Sequence, residues 1–231
     1  MKIIRNSLVI ITLFFILLFF SGCNMSSDEN FSIEDKITEE VLYIENKILT
    51  FYSMYAKKEY GEMEDLNWDL IEESVIDLNG VLDTVILDMS EIKISNEDII
   101  SFKDGVNRLS IATSNKDINA VLEEYRNLYF ILPSYAQKSF RNQNDVKQLE
   151  LKSQVVSSFV YSNLLDWEQA TLGIEEAETK YKEMMDDVDY MKEYSYNLNK
   201  IFVLLSEVKN AISMQELELV KIKYVNFIEK I

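Results

Sequence analysis

Histidine is missing from all 231 residues, and cysteine occurs once, at position 23. The first absence excludes Ser-His-Asp and Cys-His catalysis, in which an imidazole moves the proton. It also removes zinc sites of the histidine type and the Glu-x-x-His ligands of di-iron bundles. The second excludes an intramolecular disulfide. Glycine is scarce, with five residues, and proline occurs once. Hairpin-rich β structure needs both at its turns, so their scarcity points to long helices. No Gly-rich phosphate loop and no Gly-x-Ser-x-Gly elbow is present. Bases are also few, 23 Lys and Arg against 40 Asp and Glu, for a formal charge of −17. Nucleic-acid binding depends on bases that neutralise phosphates, so no nucleic-acid partner is expected. The acid excess reads as a solubilising surface.

What is present begins at the N-terminus. Lys2 and Arg5 precede the run Leu8 to Phe20, apolar except for Thr12, and Phe20-Ser21-Gly22-Cys23 follows. A positive start, a short apolar stretch and small residues before a cleavage point describe a secretory signal over residues 1–22. The run is shorter than the ~20 residues a membrane-spanning helix needs. Phe20, Ser21, Gly22 and Cys23 together resemble the lipobox of bacterial prolipoproteins, with Phe20 in place of the usual leucine. That resemblance implies cleavage after Gly22 and a diacylglycerol on Cys23. It also accounts for a lone cysteine that would otherwise be open to oxidation outside the cell. Residues 23–31 then form the lipidated cysteine and a polar tether. Cleavage removes Lys2 and Arg5 and no acid, taking the formal charge from −17 to −19.

Residues 32–231 read as one acidic all-α domain. A hydrophobic content of 48% over the whole chain argues against disorder despite the charge. Ile33, Ile37, Val41, Ile44, Ile48, Phe51 and Tyr55 recur at steps of three and four, one stripe of a helix behind an N-cap at Ser32. A second helix is expected from about Glu62 to Glu91, with Gly80 inside it. Ser95-Asn96-Glu97-Asp98 starts a third, and Thr113-Ser114-Asn115-Lys116 interrupts the period. The next stripe runs to Pro133, which is expected to kink or end its helix. Further breaks fall at Arg141 to Asn144, Leu164 to Asp166 and Asp186 to Asp189. Ser213-Met214-Gln215-Glu216 reads as a capping box. The sum is about eight antiparallel amphipathic helices in four hairpins, either a helical bundle or a short α-solenoid. The segments starting at Asp117, Asp166 and Gln215 are spaced 49 residues apart, and each follows a helix and opens the next one. Lys58 to Glu62 is a less regular fourth copy.

Candidate chemistry is sparse. Asp186, Asp187 and Asp189 beside Glu183 carry the oxygen ligands that hard cations prefer, but lack EF-hand spacing and its glycine; they read as a solvated loop. Glu39-Glu40, Glu72-Glu73, Glu123-Glu124 and Glu175-Glu176 are adjacent on helices and diverge by ~100°, so none is expected to form an acid pair by itself. Tyr190, Tyr194 and Tyr196 are hard to bury together, since 194 and 196 face apart. The segment Tyr125 to Tyr135 combines the only proline with three tyrosines, making Tyr125, Tyr129, Pro133 and Tyr135 the candidate ligand groove. No catalytic residue, metal site or cofactor is expected.

Phe102 to Leu109, Asn115-Lys116-Asp117 through Leu128-Tyr129, Leu132-Pro133-Ser134-Tyr135 and Leu165-Asp166-Trp167 resemble a group of uncharacterised all-helical membrane-anchored lipoproteins of low-GC Gram-positive bacteria. The likeness spans the chain from Asp98 onward and brings no activity with it. A fainter similarity to imelysin-like periplasmic bundles lacks their His-x-x-Glu motif. The expected function is a non-catalytic, lipid-anchored binding or scaffold protein on the extracytoplasmic side of the cell membrane, partnered by another envelope protein. The alternative is a small-ligand or cation-binding lipoprotein serving a transporter.

Overall fold

Apolar residues at helical spacing fold into eight α-helices in the computed structural model, which describes residues 32–57, 66–140 and 142–231. They are α1 Ile33–Lys57, α2 Trp68–Glu91, α3 Asn96–Ser114, α4 Ile118–Ser139, α5 Gln143–Asn163, α6 Trp167–Asp186, α7 Val188–Ser213 and α8 Leu217–Ile228. No strand occurs among the described residues. Short polar side chains start six of the helices. Asn67, Ser95, Asp117, Asn142, Asp166 and Asp187 each accept a hydrogen bond from a backbone N–H of the first turn, satisfying donors that have no intrahelical acceptor. The expected stripe of α1 is buried at Ile37, Val41, Ile44, Ile48 and Phe51, with Tyr52 and Ala56 completing it.

Four elbows share one geometry. Lys93, Lys116, Leu165 and Gln215 all adopt positive φ, between 54° and 61°. At the third elbow Leu165 N–H donates to Ser162 O and Asp166 N–H to Tyr161 O, and the same pair of bonds recurs at the other three. This is the Schellman termination, with a left-handed residue just past the helix end. The N-cap of the next helix follows directly at Asp117, Asp166 and Glu216, and one residue later, at Ser95, in the α2–α3 elbow.

Several expectations change. Pro133 lies inside α4 and does not end it. Beyond the proline, Tyr135, Ala136 and Ser139 are buried, so packing of the last turn outweighs the lost backbone bond. Ser213 caps nothing: α7 runs through it, Glu216 is the N-cap of α8, and its side chain makes no capping bond. The Schellman turn fixes where the chain leaves α7 and overrides the box pattern. It also shifts the third repeat by one residue, to equivalence of Asp117, Asp166 and Glu216. Helix α2 starts at Trp68 because Asn67 caps it, leaving Leu66 outside. The Lys58 to Glu62 copy lies outside the described residues.

The helices close on themselves, which decides between bundle and solenoid. α1, α2, α3 and α4 pack in a ring, each against the next and α4 back on α1. α5, α6, α7 and α8 form a second ring in the same way. Contacts of α4 with α5 and of α1 with α8 fuse the two, so α1, α4, α5 and α8 make a shared wall. An aromatic seam fills that wall. Phe51 stacks on Tyr125 at 4.4 Å, Phe159 on Tyr224 at 4.0 Å, and Tyr52 meets Phe159 edge-on at 5.7 Å. No described helix is long and apolar enough to cross a membrane.

Candidate functional site

Tyr125, Tyr129 and Tyr135 are buried, and Pro133 is half-buried beside them. They do not line a groove; they pack the core, because steps of four place 125 and 129 with Leu122 and Leu132 on the face of α4 turned to α1. Their hydroxyls are satisfied inside: Tyr125 donates to Ser74 Oγ at 3.2 Å, Tyr129 to Glu45 Oε1 at 2.8 Å and Tyr135 to Glu40 Oε2 at 2.5 Å. Burial pushes Tyr125 up to about 12, with the Ser74 bond opposing it. Tyr190 is also buried and accepts from Gln148 Nε2 at 2.9 Å, while half-buried Tyr194 accepts from Asn142 Nδ2 at 3.2 Å. Cys23, with Phe20, Ser21 and Gly22, lies outside the described residues.

An acid pair forms where adjacency in sequence gave none. Glu39 is exposed, whereas Glu40 turns inward to meet Asp88 of α2. Asp88 is 5% exposed and is held by Lys36, whose Nζ is 2.7 Å from Oδ2 and 3.0 Å from Oδ1. Desolvation and the hydrogen bond to Asp88 raise the Glu40 carboxyl from 4.5 to about 7, against the opposing bond from Tyr135. When the pair carries one proton, Glu40 and Asp88 share it in a hydrogen bond, and Tyr135 also donates to Glu40. The stretch at Asp186 to Asp189 is structural. Asp187 caps α7 and pairs with Lys147, and Glu183 pairs with Lys180 at 3.1 Å. Among the described residues, no group of three or more acids and thiols is arranged to hold a metal ion.

A groove lies elsewhere, on the opposite face of the segment that the sequence singled out. Arg126, Asn127, Phe130 and Ile131 of α4 form one wall, with Asp98, Ser101 and Arg108 of α3 above them. Gln154, Ser157 and Tyr161 of α5 form the floor, and Gln169, Leu172, Gly173 and Glu176 of α6 close the far side. The cavity has a volume of about 580 Å³ and spans the two rings. Gly173 sets the spacing of the two helices beneath it: a Cβ there would lie 2.6 Å from Ser158 Oγ and 3.2 Å from Ser158 N, so α6 approaches α5 more closely than any larger residue permits.

Arg126 is the focus of this groove. Its guanidinium carbon lies 4.5 Å from the Tyr161 ring centroid and 5.9 Å from that of Phe130. Nη2 donates to Asn127 Oδ1 at 3.0 Å, and the buried Nε has no hydrogen-bond acceptor. Arg108, on the same rim, is different: Glu124 takes it in a two-pronged bond, at 2.7 Å and 3.0 Å. The tyrosines singled out in the sequence lie on the buried face of α4, and the groove lies on the other face of the same segment. The available signal was an arginine followed by apolar residues four and five positions on.

Compared with known protein families, curated proteins and solved structures, the chain shows no significant match.

Proposed function

We propose that the chain is a non-catalytic binding lipoprotein, held by a diacylglycerol on Cys23 at the extracytoplasmic face of the cell membrane. The observation that carries the binding reading is the inter-ring groove, with its aromatic walls, held guanidinium and neutral amides. Such a lining orients a bound molecule and supplies no activated nucleophile, since the serines have no histidine to serve as base in this chain. The Glu40–Asp88 pair does not make an enzyme the better reading. Glycosidase carboxyls stand ~5–9.5 Å apart with substrate or water between them, whereas these two hydrogen-bond each other and Lys36 holds Asp88. Between a protein partner and a small ligand, the groove favours the small ligand, because it is concave and of ligand size.

The anchor is tested by Cys23→Ala in cells. The full-length wild type should sediment with membranes, and the variant should appear in the soluble exported fraction. Retention of the variant in membranes would mean an uncleaved hydrophobic anchor and would sink the lipoprotein reading.

A further inference from the structure

We propose that the groove at Arg126 receives the carboxylate of a small organic monoanion, whose apolar body rests on Phe130 and Leu172. The inference rests on the binding reading above and narrows it to a ligand class.

A guanidinium stays charged and offers five donors in a plane. Arg126 uses Nη2 on its neighbour Asn127 and leaves a buried Nε without an acceptor. An unmet donor on a buried charged group is costly, and acids are abundant in a chain with 40 of them. Arg108 shows how the chain satisfies an arginine when no ligand is intended: Glu124 covers it. At Arg126 the Tyr161 and Phe130 rings flank the guanidinium instead, and because Arg126 lines the groove, donors not spent on Asn127 are available to pair with a carboxylate.

The rest of the lining sets the ligand's character. Gln154, Ser157 and Gln169 supply neutral hydrogen-bonding groups in the same groove. Phe130 and Leu172, 40% and 48% exposed, offer an apolar shelf at the same opening. Asp98 and Glu176 also line the groove, and their repulsion of an anion grows with its charge, so it weighs far more against a polyanion such as a nucleotide than against a single carboxylate that Arg126 can offset. One negative charge with an apolar tail fits all three conditions, and the cavity of about 580 Å³ falls in the range of small-molecule sites.

The test uses the full chain in detergent micelles, ¹⁵N-labelled, with hexanoate as probe. Only Arg5, Arg108, Arg126 and Arg141 contribute guanidinium Nε–H signals, and Arg126→Lys assigns the one of interest by its loss. Hexanoate should shift that signal saturably, while hexanol and hexylamine leave it in place. Arg126→Lys keeps the charge and loses the fork, so hexanoate affinity, followed on groove backbone amides, should fall roughly tenfold. Phe130→Ala, at an exposed position, should weaken hexanoate while leaving acetate unchanged. An unmoved Arg126 signal, or full affinity in the lysine variant, would overturn the proposal. Inorganic phosphate binding as well as hexanoate would also overturn it, by showing a site for any anion. Membrane retention of Cys23→Ala leaves these readouts intact, so failure of the anchor and failure of the site are told apart.

Discussion

Glu40 keeps its proton at pH values where an exposed glutamate has lost it, and that has a consequence for stability. Its carboxyl is raised from 4.5 to about 7, by desolvation first and then by the bond to Asp88. Between those values the folded chain binds more protons at this site than the unfolded chain does. Stability from this group is therefore fully present below about pH 4.5 and is lost as pH rises through about 7. Allowing for solvent screening of a half-exposed group, the loss amounts to ~1 kcal/mol. Thermal melts of wild type should show a decline in this window, and Glu40→Gln should flatten it. The amide still donates to Asp88 and accepts from Tyr135, so fold and cluster geometry survive. An equal slope in both proteins would place the titrating group elsewhere. Nothing in the sequence reveals this pair, because residues 40 and 88 come together only through the packing of α1 on α2.

At the scale of helices and elbows the sequence is more legible, and the reason is local chemistry. Asp117 and Asp166 announce N-caps because a short carboxylate accepts from the first turn whatever the tertiary context. Ser213 misleads because a Schellman turn, unmarked by glycine, sets the end of α7, and Pro133 because burial beyond the proline carries α4 onward. The left-handed elbows carry no glycine to mark them, and this leaves stability unclaimed. Leu165 adopts φ 61° while 64% exposed, a conformation that costs a side-chain-bearing residue ~1–2 kcal/mol. Leu165→Gly should stabilise the fold by up to ~1 kcal/mol, raising Tm by about 2–4 °C. The reverse exchange suits Gly80, inside α2 with open space around a built Cβ. Gly80→Ala should gain a similar ~1 kcal/mol. A drop in Tm for Leu165→Gly would show that the exposed leucine makes contacts that outweigh the backbone relief.

Across the whole molecule, α1 and α4 of one ring pack against α8 and α5 of the other, so each ring covers a face of the other. The proposed ligand groove spans the same junction, with Arg126 on α4 and Tyr161 on α5. Rigidity of the wall is thus a condition for keeping the guanidinium beside the Tyr161 ring. Phe159 is the residue to probe, being fully buried, stacked on Tyr224 at 4.0 Å and edge-on to Tyr52 at 5.7 Å. Phe159→Ala should cost ~3–5 kcal/mol through lost burial and the cavity left behind. The distribution of that loss tests the architecture more sharply than its size does. If the rings unfold as one unit, the slowest-exchanging amides of α2 and α3 should lose the same protection free energy as those of α6 and α7. Hydrogen exchange resolved by segment measures both. Faster exchange confined to α5, α6, α7 and α8 would mean two independently stable rings joined at a contact. The seam would then be an interface between domains, and coupling of groove geometry to the far ring would be lost.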